Sequence, residues 1–173
     1  MTEKKLTKLL QSYGNISSRG ALRYFCGPMV GSGLNREVYE LKQDHRFVVK
    51  IQKSVGFDNV MEWYIWNQIS SCEEIAKWFA QPLVINSVGT VLVQRRVEFR
   101  KKKDYPTRIP IFFTDLKIQN FGFIGDQLKC VDYGCLRLGY VLDYKKSRYA
   151  KWWNVNNRDA AKQIKKHRDK IDY

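Results

Sequence analysis

Two aspartates and an asparagine lie close together in the stretch TDLKIQNFGFIGDQLKCVDYG, residues 114–134. Asp115 and Asn120 belong to DLKIQN, and Asp132 follows a run of β-forming residues. Carboxylate and amide oxygens are ligands that suit Mg²⁺, which usually also binds substrate phosphates. Lys117 would offset the charge of a transferring phosphate, and a carboxylate beside the metal could deprotonate a hydroxyl. These residue types at this spacing therefore predict phosphoryl transfer.

A Gly-rich stretch and a lysine earlier in the chain could serve the same chemistry. Gly31 and Gly33 precede a β-rich run, and glycines let backbone amides approach phosphates closely. Lys50 closes the apolar run FVVKI, and Glu62 on the next predicted helix could be its carboxylate partner. Taken singly, each has a commoner interpretation: a plain turn, a lysine snorkelling from a sheet edge and an exposed helical glutamate.

The hydrophobic pattern predicts the first elements that would position these residues. Leu6, Leu9 and Leu10 indicate an amphipathic helix that ends near Gly14. The runs EVYEL and RFVVKI flank the polar turn KQDH and predict an antiparallel hairpin. A helix should follow from Asp58 or Asn59 to about Ser70. Its expected apolar face consists of Val60, Met61, Tyr64, Ile65 and Ile69.

Further hairpins and helices are predicted after that helix. Ser71 and Glu74 have capping-box spacing for a short helix. PLVINSVGTVLVQRRV should form a hairpin that turns near Gly89, and FGFI and LKCV should form another around residues 125–127. Asn156 or Asn157 could cap a final helix, RDAAKQIKKHRDKI. This order predicts an α+β fold with strands concentrated early.

Length, charge and cysteine usage limit the class of protein. A chain of 173 residues can bury one compact core. It has no apolar run long enough to span a membrane and no apolar signal segment at its start. The four cysteines form no Cys-x-x-Cys pair, so we expect reduced thiols in a cytoplasmic protein without a zinc site. The net charge of +14 favours acidic partners, whether proteins, nucleotides or nucleic acids.

DLKIQN resembles the catalytic loop of the protein-kinase-like superfamily, which carries Asp-x-Lys-x-x-Asn. DYG at 132–134 stands where that family has Asp-Phe-Gly, and the Gly-rich loop, strand lysine and helix glutamate occur in the family's order. The resemblance covers roughly residues 29–134. It implies a small β-rich lobe at about 20–97, a connector at 98–110, and a strongly reduced large lobe with basic C-terminal helices at 111–173.

The resemblance also implies ATP and Mg²⁺ as cofactors and a role for each residue at the nucleotide. Gly31 and Gly33 would lie over the ATP phosphates, and Lys50 would bind the α- and β-phosphates while paired with Glu62. The backbone between Gln94 and Val97 would meet the adenine. In the catalytic loop Asp115 would be the base and Lys117 would contact the γ-phosphate. The remaining two residues, Asn120 and Asp132, would hold magnesium.

Departures from the family pattern are equally informative. Thr114 replaces the usual arginine before the catalytic aspartate, which argues against control by a phosphorylated activation loop. Arg36 stands where a third glycine would be, and no Ala-Pro-Glu motif follows residue 134. The family's substrate platform should therefore be absent. The chain looks like a miniature kinase of the phage or bacterial type, which would act in the host cytoplasm if a phage encodes it.

Four functions remain open at this stage. The first is a Ser/Thr protein kinase that phosphorylates an acidic protein partner. The second is a pseudokinase-like module whose basic surface binds and inhibits an acidic protein or nucleic acid. In the third, Tyr149, Trp152 and Trp153 stack on nucleic-acid bases, although packing of the tryptophans on the core is the better interpretation. The fourth is a small-molecule kinase. In any of these, a homodimer could supply the walls of the substrate site that this short chain lacks.

Overall fold

An antiparallel sheet of five strands organises the first half of the chain in the computed structural model, which describes residues 2–12, 14–53, 56–136 and 138–154. The strand order is β1-β2-β3-β5-β4. The bounds are β1 Cys26–Ser32, β2 Arg36–Leu41, β3 Phe47–Gln52, β4 Pro82–Ile85 and β5 Val91–Arg95. Both predicted hairpins of this region, β2–β3 and β4–β5, are confirmed. Gly89 has φ 73°, a left-handed conformation that glycine adopts without strain, and it provides the second turn.

One face of the sheet is covered by two N-terminal helices, α1 (Glu3–Ser12) and α2 (Ser18–Tyr24). Alternate residues of β3 point to this side, and Phe47, Val49 and Ile51 pack there with Leu6 and Leu10 of α1. We call this cluster the sheet core. The first helix was predicted, but α2 was not, because SRGALRY is short and contains an interior glycine.

The opposite face of the sheet receives α3 (Asp58–Ile69), and here the sequence-based prediction of the apolar face is wrong. Ile65 and Ile69 are buried as expected. Three other members of the predicted face, Val60, Met61 and Tyr64, are exposed. Asn59 and Glu62 are fully buried in their place, because the cationic side chains of the sheet require polar partners on this side.

After α3 comes the short helix α4 (Glu73–Ala76), which confirms a helix at this place. The predicted capping box is absent. Cys72, and not Ser71, stands at the N-cap, and it makes no side-chain capping hydrogen bond.

The second half of the chain consists of two small antiparallel pairs around an aromatic cluster. β7 (Phe121–Ile124) pairs with β8 (Gln127–Cys130), as predicted, and Gly125 turns between them with φ 56°. β6 (Arg108–Pro110) pairs with β9 (Ser147–Tyr149). Short 3-10 turns lie at Lys102–Asp104, Ile118–Asn120 and Leu138–Asp143. The fold is thus of the α+β class with antiparallel pairing.

The aromatic cluster, which we call the aromatic core, is the larger of the two buried clusters. Phe79 lies near its centre, with ring centroids 5.9 Å from Phe112 and 5.0 Å from Tyr133. Ile65 and Ile69 of α3 belong to this core rather than to the sheet core. The helix that faces the sheet is therefore also packed on the second half of the chain.

Trp152 is buried in the aromatic core, and its indole Nε1 donates to the Pro106 carbonyl at 2.8 Å. The interpretation that the tryptophans pack on the core is confirmed for this residue. Tyr149 is exposed, and its ring carries the guanidinium of Arg108 at 4.9 Å. The predicted final helix, residues 158–171, lies outside the described residues.

All four cysteines are unpaired thiols. In the described part of the chain no helix has the length and apolar character needed to cross a membrane. The division into two lobes with a connector at 98–110 stays a prediction.

Candidate functional site

The backbone of Val131 joins three of the segments in which the sequence predicts site residues. Its N–H donates to the carbonyl of Asn120 at 2.8 Å, which joins the DLKIQN segment to the end of β8. Its carbonyl accepts a hydrogen bond from Lys50 Nζ on β3. Asp132 is the next residue along the chain. Residues that are up to 82 positions apart in sequence thus converge at one place.

Lys50 and Glu62 form a buried ion pair, in which Lys50 Nζ lies 2.7 Å from Glu62 Oε2. Their side chains are 5% and 0% exposed, so the interpretation of Glu62 as an ordinary exposed glutamate is wrong. Burial lowers the pKa of Lys50, and the neighbouring carboxylate opposes that shift. Gln94 donates from Nε2 to Glu62 Oε2 at 3.3 Å and to the Ala80 carbonyl at 3.2 Å, which fixes the carboxylate from behind.

Arg36 is a site residue to which sequence reasoning gave no role. Its Nη1 lies 2.7 Å from Glu62 Oε1, and its Nη2 lies 2.7 Å from Asp132 Oδ1. Nη1 also donates to Asn59 Oδ1 at 3.3 Å. Burial works to lower the pKa of Arg36, but the Glu62 and Asp132 carboxylates outweigh it and raise that pKa. The only signal in the sequence was a charged residue at the place of a third glycine.

The residues of the DLKIQN loop, 115–120, are held together by local hydrogen bonds. Asn120 Nδ2 donates to Asp115 Oδ2 at 2.9 Å, and the Lys117 amide donates to Asp115 Oδ1 at 3.2 Å. Asp115 is exposed and Asn120 is buried. The 3-10 turn Ile118–Asn120 gives the loop its shape, with the Asn120 amide bonded to the Lys117 carbonyl. The loop therefore presents a solvent-accessible carboxylate supported by a buried amide.

The Gly-rich segment forms the end of β1 and the turn into β2. The Gly33 amide donates to the Arg36 carbonyl at 2.8 Å, and Lys53 Nζ donates to the Gly33 carbonyl at 2.7 Å. Neither Gly31 nor Gly33 has a positive φ, and a Cβ at either place would meet no protein atom closer than 3.9 Å. Neither the backbone conformation nor packing requires glycine here, which leaves room for a ligand to approach the backbone.

Residues 94–97 differ in which of their groups are free to bind a ligand. The Gln94 side chain is fully buried, and Val97 is buried as well. The amides of Arg96 and Glu98 donate to the carbonyls of Arg46 and Phe123 at 2.8 Å. Within the described residues the Val97 amide has no backbone acceptor. That amide is the group of this segment that could bind an acceptor such as an adenine nitrogen.

The donor chemistry at Asn120 and Asp132 fits a divalent cation. Asn120 engages its amide nitrogen with Asp115, which leaves its amide oxygen as the free donor atom. The Asp132 side chain is 51% exposed, and only its Oδ1 is paired among the described residues. No three His, Cys, Asp or Glu side chains cluster as a metal site in the part of the chain described. Mg²⁺ does not need such a cage, since it keeps waters and binds substrate phosphates.

Comparisons with known proteins add little to this geometry. No family model matches the chain, and no curated protein matches it either. One solved structure that is similar to it is the ternary complex of streptomycin, ATP and APH(2″)-IIa. The TM-score is 0.43 and the sequence identity 8%, over 63% of this chain and 67% of that chain. The assignment of a function therefore rests on the contacts of the site itself.

Proposed function

We propose that the protein is a Mg·ATP-dependent phosphotransferase with a kinase-like site. The observation that carries the proposal is the buried Lys50–Glu62 pair beside Asp132 and the Asp115–Asn120 loop. A buried ion pair is a poor source of stability, because desolvation of both charges offsets most of their attraction. A buried lysine that contacts a carboxylate, and lies beside the segment that carries Asp132, instead suits the binding of phosphates.

Each group has a role that its contacts support. Lys50, fixed by Glu62 and the Val131 carbonyl, would bind the α- and β-phosphates, with the Gly31–Gly33 backbone above them. The Val97 amide would bind the adenine. Mg²⁺, held by Asp132 and Asn120, would neutralise charge on the phosphates. Asp115 would accept the proton of the attacking hydroxyl while Asn120 and the Lys117 amide keep its carboxylate oriented.

The most direct test measures phosphate transfer from γ-labelled ATP with magnesium, to the protein itself or to lysate proteins. Asp115→Asn should lower transfer by about 10²–10⁴-fold, because a general base contributes about that much. Asp132→Ala should remove the response to magnesium. Asp126→Asn is a matched control, since that carboxylate lies in the β7–β8 turn with a fully exposed side chain. Wild-type protein without activity, or equal to Asp115→Asn, would contradict the proposal.

The acceptor we propose is a Ser or Thr hydroxyl on an acidic protein. Backbone hydrogen bonds join Trp153 to Leu116 and Ile118, so the segment that carries β9 runs along the catalytic loop. This segment is basic and largely exposed, and its partner strand β6 adds the exposed Arg108. Their cationic residues are Arg108, Lys145, Lys146, Arg148 and Lys151. A peptide with acidic residues near the hydroxyl should be phosphorylated more efficiently than its Asn/Gln counterpart.

A binding module without catalysis is the second candidate. The Arg36–Asp132 ion pair favours it, because it engages the carboxylate proposed for the metal. In that case the basic surface would bind an acidic protein or nucleic acid. Thermal unfolding separates the two functions: a module is stabilised by its partner and not by Mg·ATP, whereas an enzyme is stabilised by Mg·ATP.

A further inference from the structure

Arg36 connects the two carboxylates of the site, Glu62 and Asp132, through its two terminal nitrogens. We propose that Arg36 is a positioning residue, which orients the Asp132 carboxylate for the divalent cation that accompanies the nucleotide. The inference rests on the proposed function and adds to it a residue outside the motifs of the sequence.

The guanidinium is fixed from the side of α3. Nη1 contacts Glu62 Oε1 at 2.7 Å and Asn59 Oδ1 at 3.3 Å, and both of these residues are fully buried. The Arg36 side chain itself is 9% exposed. Because guanidinium is planar, contacts that hold Nη1 also determine the direction of Nη2. Arg36 therefore presents a donor in one fixed direction, towards Asp132.

Asp132 is the member of this network that needs such support. Its side chain is 51% exposed, and in the described residues Arg36 is the one side chain that forms an ion pair or hydrogen bond with its carboxylate. Nη2 takes Oδ1, so Oδ2 is left for another ligand. Without Arg36 the half-exposed carboxylate would be free to rotate about its side-chain bonds, and it would lose that freedom only on binding the metal.

The charges of the network explain why an arginine here does not repel a cation. Lys50 and Arg36 carry two positive charges, and Glu62 and Asp132 carry two negative ones. Glu62 contacts both cations at 2.7 Å, one with each carboxylate oxygen. The four side chains together are neutral, so Arg36 adds no net positive charge to this network.

Two other roles for Arg36 lead to different measurements. If it only balances the charge of buried Glu62, its loss lowers stability and leaves metal dependence unchanged. If Arg36 competes with the metal for the Asp132 carboxylate, its loss strengthens the effect of the metal on ATP binding. As a positioning residue, its loss weakens that effect specifically.

The experiment measures the affinity of the full chain for ATP by calorimetry, once with Mg²⁺ and once with EDTA. The ratio of these two affinities is the metal dependence. Arg36→Gln should lower the ratio by about 10-fold or more, because removing partners that orient metal ligands costs about 10–100-fold in metal affinity. Arg36→Lys should lower it similarly. Lysine retains a charge for Glu62, but its single nitrogen cannot hold both carboxylates in the same way.

Arg100→Gln is the matched control, since Arg100 pairs with Asp126 in the β7–β8 turn and should leave the ratio unchanged. Thermal unfolding of each variant confirms that it is folded. If Arg36→Gln does not fold, the affinities are compared with those of Arg36→Lys instead. An unchanged or a higher ratio in a folded Arg36 variant overturns the inference alone. Wild-type protein that binds no ATP, or binds it equally with and without Mg²⁺, overturns the proposed function and this inference together.

Discussion

Glu62 is the residue on which the charged network depends. It is fully buried, and each of its oxygens contacts a different cation, Arg36 and Lys50. Gln94 adds a hydrogen bond from the β5 side. Buried charges of this kind are tolerated only when they are paired and hydrogen-bonded, and the loss of one partner leaves others uncompensated.

Replacing Glu62 with Gln should therefore be costly. The variant leaves two buried cations without their counter-ion, and we expect the free energy of unfolding to fall by ~3–5 kcal/mol. Urea denaturation measures this change. Glu73→Gln is the control, because Glu73 is exposed at the start of α4 and should change stability by less than about 0.5 kcal/mol. Equal stability of the two variants would show that the buried pairs do not form.

At this scale the sequence predicts residue types better than contacts. Lys50, Asp115, Asn120 and Asp132 were proposed as site residues because each stands in a local motif, and the structure brings their segments together at Val131. The contacts of Arg36 were missed, because its partner Asp132 lies 96 positions away in sequence. No local sequence pattern predicts a contact between residues so far apart in sequence.

Among the elements, the hairpins were predicted well because turns and strand alternation are local properties. The Asp44 turn between β2 and β3 is an example, in which the Asp44 carboxylate accepts hydrogen bonds from the Arg46 amide at 3.1 Å and from Arg46 Nη2 at 2.6 Å. The face of α3 was predicted wrongly, since amphipathic reasoning assigns polar residues to solvent. Here Asn59 and Glu62 point inward because the sheet supplies Lys50 and Arg36.

Paired substitutions on α3 test which face is buried. Ile65→Ala should lower the free energy of unfolding by about 2–5 kcal/mol, because a fully buried aliphatic side chain is removed from a packed core. Tyr64→Ala is the control on the adjacent position, where the side chain is exposed. It should change stability little. A loss for Tyr64→Ala as large as that for Ile65→Ala would support the face predicted from the sequence, which contains both residues.

The Asp44 turn has a pH-dependent contribution to stability. Hydrogen bonds from Arg46 lower the pKa of Asp44 from 3.8 to about 2. A carboxyl whose folded pKa is depressed stabilises the fold above its unfolded pKa and loses this effect as pH falls through the folded value. The stability advantage of wild type over Asp44→Asn should thus be complete at pH 7 and shrink between about pH 4 and pH 2. Urea denaturation at several pH values measures it, and a constant difference would contradict the assignment.

Across the whole molecule, α3 connects the buried charged network on one face of the sheet to the aromatic core. Its Glu62 binds cations of the sheet, whereas its Ile65 and Ile69 pack in the aromatic core. The sheet core lies on the far side of the sheet, under α1 and α2. Loss of either cluster would remove part of the support of this helix, so we expect both to unfold together.

The buried thiols allow a test, because each core contains one. Cys26 belongs to the sheet core, where burial raises its pKa to about 11, and Cys130 belongs to the aromatic core, where burial also raises the pKa of the thiol. Both should resist alkylation in the native state and become reactive at the same urea concentration. Exposed Cys135 should react throughout. Labelling of Cys130 at clearly lower urea than Cys26 would show that the cores unfold separately.

The double attachment of α3 has a consequence for how the chain can be divided. A fragment that ends near residue 97 would contain the whole sheet and α3, but Ile65 and Ile69 would face water without the aromatic residues that follow in sequence. The complementary fragment would lack those isoleucines and Phe79 at the centre of its own core. Neither piece should fold alone, and the two should regain structure only when mixed. The protein is in this sense an indivisible unit, in which one helix both fills the aromatic core and pairs with the buried cations of the sheet.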